Sequence, residues 1–260
     1  MQTKNEFIVG DCIEVMKRMP LESIDLIVTS PPYNVGIEYD NYNDSKPYQD
    51  YLVWCETWLR ECYRVLKLGG RMTLNHYISY GTADFRSMPL FDLNAIALKI
   101  GFKHKGLAVW EDRHLAKRTA WGSWLSATAP YVNCPFEGIA ILGKGEWKRE
   151  KTGKDTITKK DFIKATRGIW DFHPEMQSEH PAPFPLKLAK ICIELFSFEG
   201  DMVLDPFTGS GTTNLAAHFT GRNSIGIDIS EKYIKMAKDR VEYYSKNKKI
   251  LDFSEAQHKL

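Results

Sequence analysis

The chain has no run of about 18 consecutive apolar residues, so nothing in it reads as a membrane-spanning helix. Its opening residues, Met1-Gln2-Thr3-Lys4-Asn5-Glu6, lack the basic-then-apolar pattern of a secretory signal, and a cytoplasmic location is expected. Cysteine is scarce. Cys12, Cys55, Cys62, Cys134 and Cys192 are odd in number and dispersed, which argues against a disulfide framework or a zinc knuckle and reads as reduced packing residues with no metal required. Internal repeats and low-complexity tracts are missing too. Neither sign of charge dominates, since 35 Lys and Arg against 33 Asp and Glu leave a net charge of +2. What is present is ordinary for one large globular domain: 260 residues, 43% hydrophobic and 26% charged, enough to bury a sizeable core.

Hydrophobic patterning alternates between strand and helix. Short apolar strands are expected at Glu6 to Val9, Ser23 to Thr29, Arg71 to Tyr77, Phe102 to Trp110, Met202 to Leu204 and Ser224 to Ile227. Helices are expected at Ile13 to Met19, Tyr48 to Leu66 with Gly69-Gly70 as its C-cap, Leu90 to Ile100, Pro185 to Phe198, Gly211 to Phe219 and Glu231 to Tyr244. This order predicts an α/β fold, a doubly wound and mostly parallel sheet covered by helices on both faces. Phe136 to Leu142 reads as one more strand, antiparallel and at an edge.

Two stretches break the alternation, Glu111 to Pro135 and Gly143 to Glu179. Long insertions in a compact α/β domain are usually functional, and these are assigned to substrate reading. Between Gly143 and Gly168 nine basic residues, Lys148, Arg149, Lys159, Lys160 and Arg167 among them, face four acids, a local excess that suits a polyanion. Charge alone fits a solvated loop as well.

Asp205-Pro206-Phe207-Thr208-Gly209-Ser210-Gly211-Thr212-Thr213 leaves a strand through a glycine turn into a helix. In a doubly wound sheet ligands sit at the carboxyl ends of strands, where glycine lets the backbone approach a nucleoside. A phosphate-binding loop would carry Gly-Lys-Ser/Thr, and no lysine is present. A dinucleotide fingerprint would need a third glycine, and position 214 is Asn. Asp228 ends the next strand, where a carboxylate accepts both hydroxyls of a ribose.

Ser30-Pro31-Pro32-Tyr33 follows a buried strand and so stands at the same end of the sheet. Pro32 restricts Pro31 towards an extended conformation, which presents the Ser30 hydroxyl and the Pro31 carbonyl as two preorganised acceptors. An exocyclic amine on cytosine or adenine is a poor nucleophile because its lone pair is delocalised into the ring. Hydrogen bonds from its two hydrogens to those acceptors favour a pyramidal nitrogen, and Tyr33 is placed to stack on the base.

With these two motifs the sequence resembles the β-class amino-methylating DNA methyltransferases, which move a methyl group from S-adenosylmethionine to cytosine N4 or adenine N6. The resemblance covers most of the chain. It implies a Rossmann-like methyltransferase sheet with an antiparallel edge strand and a small inserted target-recognition region. The catalytic residues would be Ser30, Pro31, Pro32 and Tyr33. The cofactor would be held by Asp11 and Cys12 after the first strand, by Thr29, by Asp205, Phe207, Gly209, Ser210, Gly211, Thr212 and Asp228, and by His180, Pro183 and Phe184 in the segment before the cofactor loop. Catalytic motif first, variable region next and cofactor loop last is similar to the family's permuted order: residues 1–110 as catalytic half, 111–179 as target recognition, 180–245 as cofactor half and 246–260 as a polar tail.

Family members with Ser at the first catalytic position and His-Pro-Ala-Pro-Phe-Pro before the cofactor loop are mostly cytosine-N4 enzymes, so that base is preferred and adenine N6 is the alternative. The substrate implied is duplex DNA, contacted by Arg113, Lys117, Arg118, Trp121 and Trp124 of the first insertion and by the basic residues of the second. A cognate restriction endonuclease and a homodimer are the further partners that the family allows. An RNA or small-molecule N-methylase and a catalytically silent DNA-binding relative are the rival readings.

Overall fold

The computed structural model describes residues 3–81, 85–111, 125–130, 132, 134–150, 152–172 and 185–247. In chain order these form β1 (Asn5–Val9), α1 (Cys12–Arg18), β2 (Ile24–Thr29), α2 (Tyr48–Val65), β3 (Leu66–Tyr77), β4 (Tyr80–Gly81), β5 (Arg86–Ser87), α3 (Pro89–Ile100), β6 (Lys103–Glu111) and β7 (Phe136–Gly143). They continue with α4 (Lys159–Ala165), β8 (Ile169–Asp171), α5 (Leu186–Phe196), β9 (Met202–Asp205), α6 (Thr212–Phe219), β10 (Asn223–Asp228) and α7 (Glu231–Lys246).

β2 explains the centre of the molecule. All six of its residues are buried, so each face of the strand needs an apolar cover. Side chains alternate across the sheet, and Ile27 joins Leu204 and Ile227 under α1, α2 and α3, packed on Met16, Cys55, Trp58, Leu59, Leu93 and Ala97, a cluster that Ile24 also enters from before the register shift at the start of the strand. Leu26 and Val28 point the other way with Val203, under α5, α6 and α7, against Leu188, Ala189, Ile193, Leu215 and Val241. Each such aliphatic side chain contributes about 1.5–3 kcal/mol of burial.

Among the described residues the main sheet runs β1-β10-β9-β2-β3-β7-β6-β8. Its first five strands are mutually parallel, β7 is antiparallel to both β3 and β6, and β8 is parallel to β6. The doubly wound, mostly parallel sheet is therefore present, with its direction of winding reversing between β9 and β2. That is the switch point at which such sheets bind ligands. β1 pairs with β10 through Val9↔Asp228, so the earliest strand closes the side of the sheet that carries the glycine turn.

Three expectations are corrected. β7 is antiparallel as read, but it lies inside the sheet between β3 and β6, because both of its edges find partners over most of its length. Gly69-Gly70 does not cap α2. The helix passes at Leu66 directly into β3, and the register jumps from Ile24↔Leu66 to Leu26↔Arg71, so both glycines belong to a bulge. Gly69 there has φ +76°, and a Cβ on Gly70 would stand 2.8 Å from Leu66 Cδ1. The second insertion, read as a break in the alternation of strand and helix, holds one of each: α4, capped by Thr158 Oγ1 accepting from Asp161 N, and β8. Most of the first insertion and residues 248–260 of the tail lie outside the described residues.

Candidate active site

The carboxyl ends of β1, β2, β9 and β10 open onto one cleft of about 400 Å³, lined by Asp11, Cys12, Ser30, Pro31, Pro32, Tyr33, Asp205, Phe207, Gly209, Ser210, Thr212 and Asp228. The serine-proline turn and the glycine turn, far apart in the chain, are neighbours because β2 and β9 are adjacent strands. They are also joined directly, for the Thr29 hydroxyl donates to Asp205 Oδ1 across 3.1 Å of buried space. Thr29 and Gly211 do not line the cleft; they hold its two walls in place.

Asp205 organises the glycine turn. Its Oδ1 also accepts from Phe207 N at 3.1 Å and its Oδ2 from the Thr213 hydroxyl at 2.6 Å. Burial pushes this carboxyl up to about 6, against the lowering effect of those donors. Gly211, at φ +78°, is the N-cap of α6, and a Cβ there would meet Ala237 Cβ at 2.7 Å, so the turn packs on α7 only with glycine. Arg240 of α7 reaches back to donate to the Thr212 hydroxyl at 2.9 Å and Ser210 Oγ at 3.2 Å. Asp228, at the end of β10, accepts from Gly209 N at 3.0 Å and Ser230 N at 2.9 Å, and burial raises its pKa. Asp11 caps α1, with Oδ1 accepting from Ile13 N and Glu14 N, and the neighbouring Cys12 thiol is pushed up by burial and by that carboxylate. All five cysteines are free thiols.

The serine-proline turn is held by side chains from distant strands. Tyr51 of α2 donates to the Pro32 carbonyl at 2.9 Å and also meets His76 Nε2 at 2.9 Å. His76 is fully buried and its pKa is pushed down to about 3, so the ring is neutral. It stacks on one face of Tyr33, with centroids 4.2 Å apart, while Tyr77 meets the same ring edge-on at 4.8 Å. Ser30 Oγ donates to the Tyr33 hydroxyl at 2.8 Å, which donates to Glu137 Oε2 at 2.7 Å. Asn75 Nδ2 donates to both, at 2.8 and 2.5 Å. Burial, then Glu137, raises the Tyr33 phenol well above its ordinary value.

Asn75, Glu137, Tyr39, Tyr42, Trp54, Tyr77, Trp110, Ser230 and Tyr233 line the cleft or its rim without having been read from the sequence. The signal for two of them was there, a single acid and a single amide inside apolar strands. Glu137 arrives because β7 is reversed: its second residue lies opposite Tyr77 and Trp110, at the carboxyl ends of the parallel strands.

The family model described as DNA methylase, of the N6/N4 methyltransferase type, matches residues 24–239. The chain belongs to this family. The DNA methylase match takes in both turns and every strand between them. Among relatives, the Type II methyltransferase M.MjaVI of Methanocaldococcus jannaschii is 44% identical over 162 residues, 62% of this chain and 82% of its own length. DNA adenine methyltransferase YhdJ of Escherichia coli K12 is 33% identical over 252 residues, 91% of this chain and 82% of its own. TTHA0409 of Thermus thermophilus, solved in complex with S-adenosyl-L-methionine, superposes with a TM-score of 0.74 at 29% identity, over 93% of this chain and 95% of its own.

The basic residues proposed for DNA are divided by the structure. Arg149 is a correction. Its guanidinium donates to Asp25 at 3.1 Å and Asp201 at 2.9 Å, and only 14% of the side chain is exposed. It braces the amino ends of the strands, since Asp25 lies at the start of β2 and Asp201 precedes β9. Lys148 is exposed but belongs to the same loop, which follows Gly143 opposite Arg71 at the far end of the sheet from the cleft. Seven steps of β7 separate those ends, about 24 Å. Lys144, part of the same basic count, is buried and donates to the carbonyls of Tyr63 and Leu66. Lys159 and Lys160 are exposed in the first turn of α4, and Arg167 is exposed just before β8. Arg113, Lys117, Arg118, Trp121, Trp124, His180, Pro183 and Phe184 lie outside the described residues.

Proposed function

We propose that this DNA methylase transfers the methyl group of S-adenosyl-L-methionine to the exocyclic N4 of a cytosine flipped out of duplex DNA. The observation that carries the reading is the shared cleft, in which Ser30 and Pro31 face the Asp205 to Thr212 turn and Asp228 across the Thr29–Asp205 bond. The cofactor is the ligand bound in the TTHA0409 complex. Its chemistry fits the residues here: Asp228 for ribose hydroxyls, the Gly209 backbone for close approach, and the Phe207 ring beside Trp54 for the apolar parts.

When bound, the cofactor supplies an electrophilic methyl on a sulfonium. Ser30 Oγ and the Pro31 carbonyl accept the two N–H groups of the target amine and turn its lone pair out of the ring plane. Tyr33 lines the cleft with its ring held between the His76 stack and the Tyr77 edge contact, beside the place proposed for the base. Flipping the base costs a few kcal/mol, supplied by contacts to phosphates and grooves. Because relatives such as M.MjaVI are Type II methyltransferases, a cognate restriction endonuclease is proposed as the chain's functional counterpart.

N6 of adenine is the second reading, favoured by the resemblance to an adenine methyltransferase at 33% identity. Incubating mixed-sequence duplex DNA with methyl-labelled cofactor, digesting to nucleosides and weighing the product tests both. N4-methylcytosine is the expected nucleoside. N6-methyladenine would replace the first reading by the second, and label that enters RNA in preference to duplex DNA would overturn both.

A further inference from the structure

The hydroxyl of Ser30 serves a base amine only if it accepts, because an amine before methyl transfer approaches with its hydrogens. A serine hydroxyl carries one hydrogen and two lone pairs and rotates freely, so something must turn that hydrogen away from the cleft. The cluster behind Ser30 does so by the fixed character of its two ends. Glu137 Oε2 takes hydrogens from both the Tyr33 hydroxyl and Asn75 Nδ2, so it accepts, and the residue is 9% exposed. Asn75, 2% exposed, turns its amide nitrogen to both Glu137 Oε2 and the Tyr33 oxygen. The reverse amide orientation would set Asn75 Oδ1 against a carboxylate. Between these ends Tyr33 has one arrangement: its hydrogen goes to Glu137 at 2.7 Å, and its lone pairs take Asn75 at 2.8 Å and Ser30 at 2.8 Å. Ser30 must then spend its only hydrogen on Tyr33.

We infer that Glu137 is a positioning residue for methyl transfer, acting through the Tyr33 hydroxyl to fix the polarity of Ser30 so that both Ser30 lone pairs face the incoming amine. The inference rests on the methyl-transfer reading of the same cleft and adds to it a residue that never touches the base. It also gives the Tyr33 hydroxyl a task separate from the stacking of its ring. Without the carboxylate, Tyr33 donates to Ser30, the serine hydrogen swings into the cleft, and the amine meets a donor instead of an acceptor. No proton leaves the chain of hydrogen bonds in this arrangement; it sets direction only.

The test is a double-mutant cycle on the intact protein, with kcat, KM for duplex DNA and cofactor Kd measured for each variant. Glu137→Leu lowers kcat about tenfold or more while KM and cofactor Kd hold, since it deletes the acceptor. Glu137→Gln, whose amide oxygen still accepts from both neighbours, stays within about threefold of the unmodified protein. In a Tyr33→Phe background neither change at position 137 lowers kcat further, because the connection is already cut. Multiplying losses in the double variant, or full kcat in Glu137→Leu, would overturn the inference.

DNA-free protein gives an independent reading. The Tyr33 hydroxyl proton, donated to a carboxylate, resonates far downfield and exchanges slowly, and it moves upfield in Glu137→Leu. A resonance unmoved by that change overturns the relay. Absence of transfer to DNA by the unmodified protein overturns the functional reading alone, because the proton resonance still decides the relay.

Discussion

The two turns that meet in the cleft are built in opposite ways. The glycine turn takes its shape from its own segment and the next strand, where Asp205 bonds to Phe207 and Thr213 within eight residues and Asp228 bonds back to Gly209 from nineteen residues on, with Thr29 and Arg240 as added braces from β2 and α7. The serine-proline turn takes its support from far away, from Tyr51, Asn75, His76 and Glu137 on three other elements. A local turn is specified by local sequence. A turn braced from a distance is specified by the fold, and its chemistry can be adjusted by residues that no short motif contains.

That difference predicts separable failures. Ser30→Ala removes an acceptor from the reacting amine, and kcat falls about 10²- to 10³-fold while cofactor Kd, by calorimetry, stays within about twofold. Equal losses in both quantities would erase the division between the turns. Gly211→Ala attacks the locally coded turn through its fold: φ +78° disfavours a side chain and Ala237 leaves no room for one. Thermal or urea unfolding should show a loss of about 2–4 kcal/mol.

Asp205 sharpens the contrast through pH. Its folded pKa of about 6 lies above the 3.8 of an ordinary aspartate, so the folded state holds this proton more tightly. The stabilisation is complete below about pH 4 and is lost as pH rises through 6. Relative to Asp205→Asn, the unmodified protein should lose on the order of 2–3 kcal/mol between pH 4 and pH 7, measured by urea unfolding at both. A constant difference would contradict the buried, raised carboxyl.

Asp228→Ala weakens cofactor binding about 10- to 100-fold with kcat at saturating cofactor little changed, the mirror image of Ser30→Ala. Lys148→Ala has the smallest effect. Standing at the end of the sheet away from the cleft, it should leave duplex affinity and its salt dependence unchanged, and a fall in the salt slope by about one unit would place DNA on that face.

The same contrast explains what the sequence disclosed. The buried run Ile24–Thr29, the Asp205 to Thr213 turn and Asp228 at the end of the following strand are patterns of neighbours, and each lies where its pattern implied. The position of β7 was illegible because an apolar strand of eight residues reads the same at an edge or inside, and only its pairing with β3 and β6 decides. Gly69-Gly70 after a helix reads as a cap until the register jump of β3 is seen. Arg149 looked like one more phosphate contact because sequence carries charge and not the location of Asp25 and Asp201. Glu137 and Asn75 were visible as polar residues in apolar strands, but their target, the Tyr33 hydroxyl, is 104 and 42 residues away.

A crystal structure of the protein with S-adenosyl-L-methionine tests the shared cleft most directly. The sulfonium methyl should point towards Ser30 Oγ and stop short of it by the span of one amino group, about 3 Å on either side. A methyl directed to another face, or one separated from Ser30 by the wall of the cleft, would contradict the account.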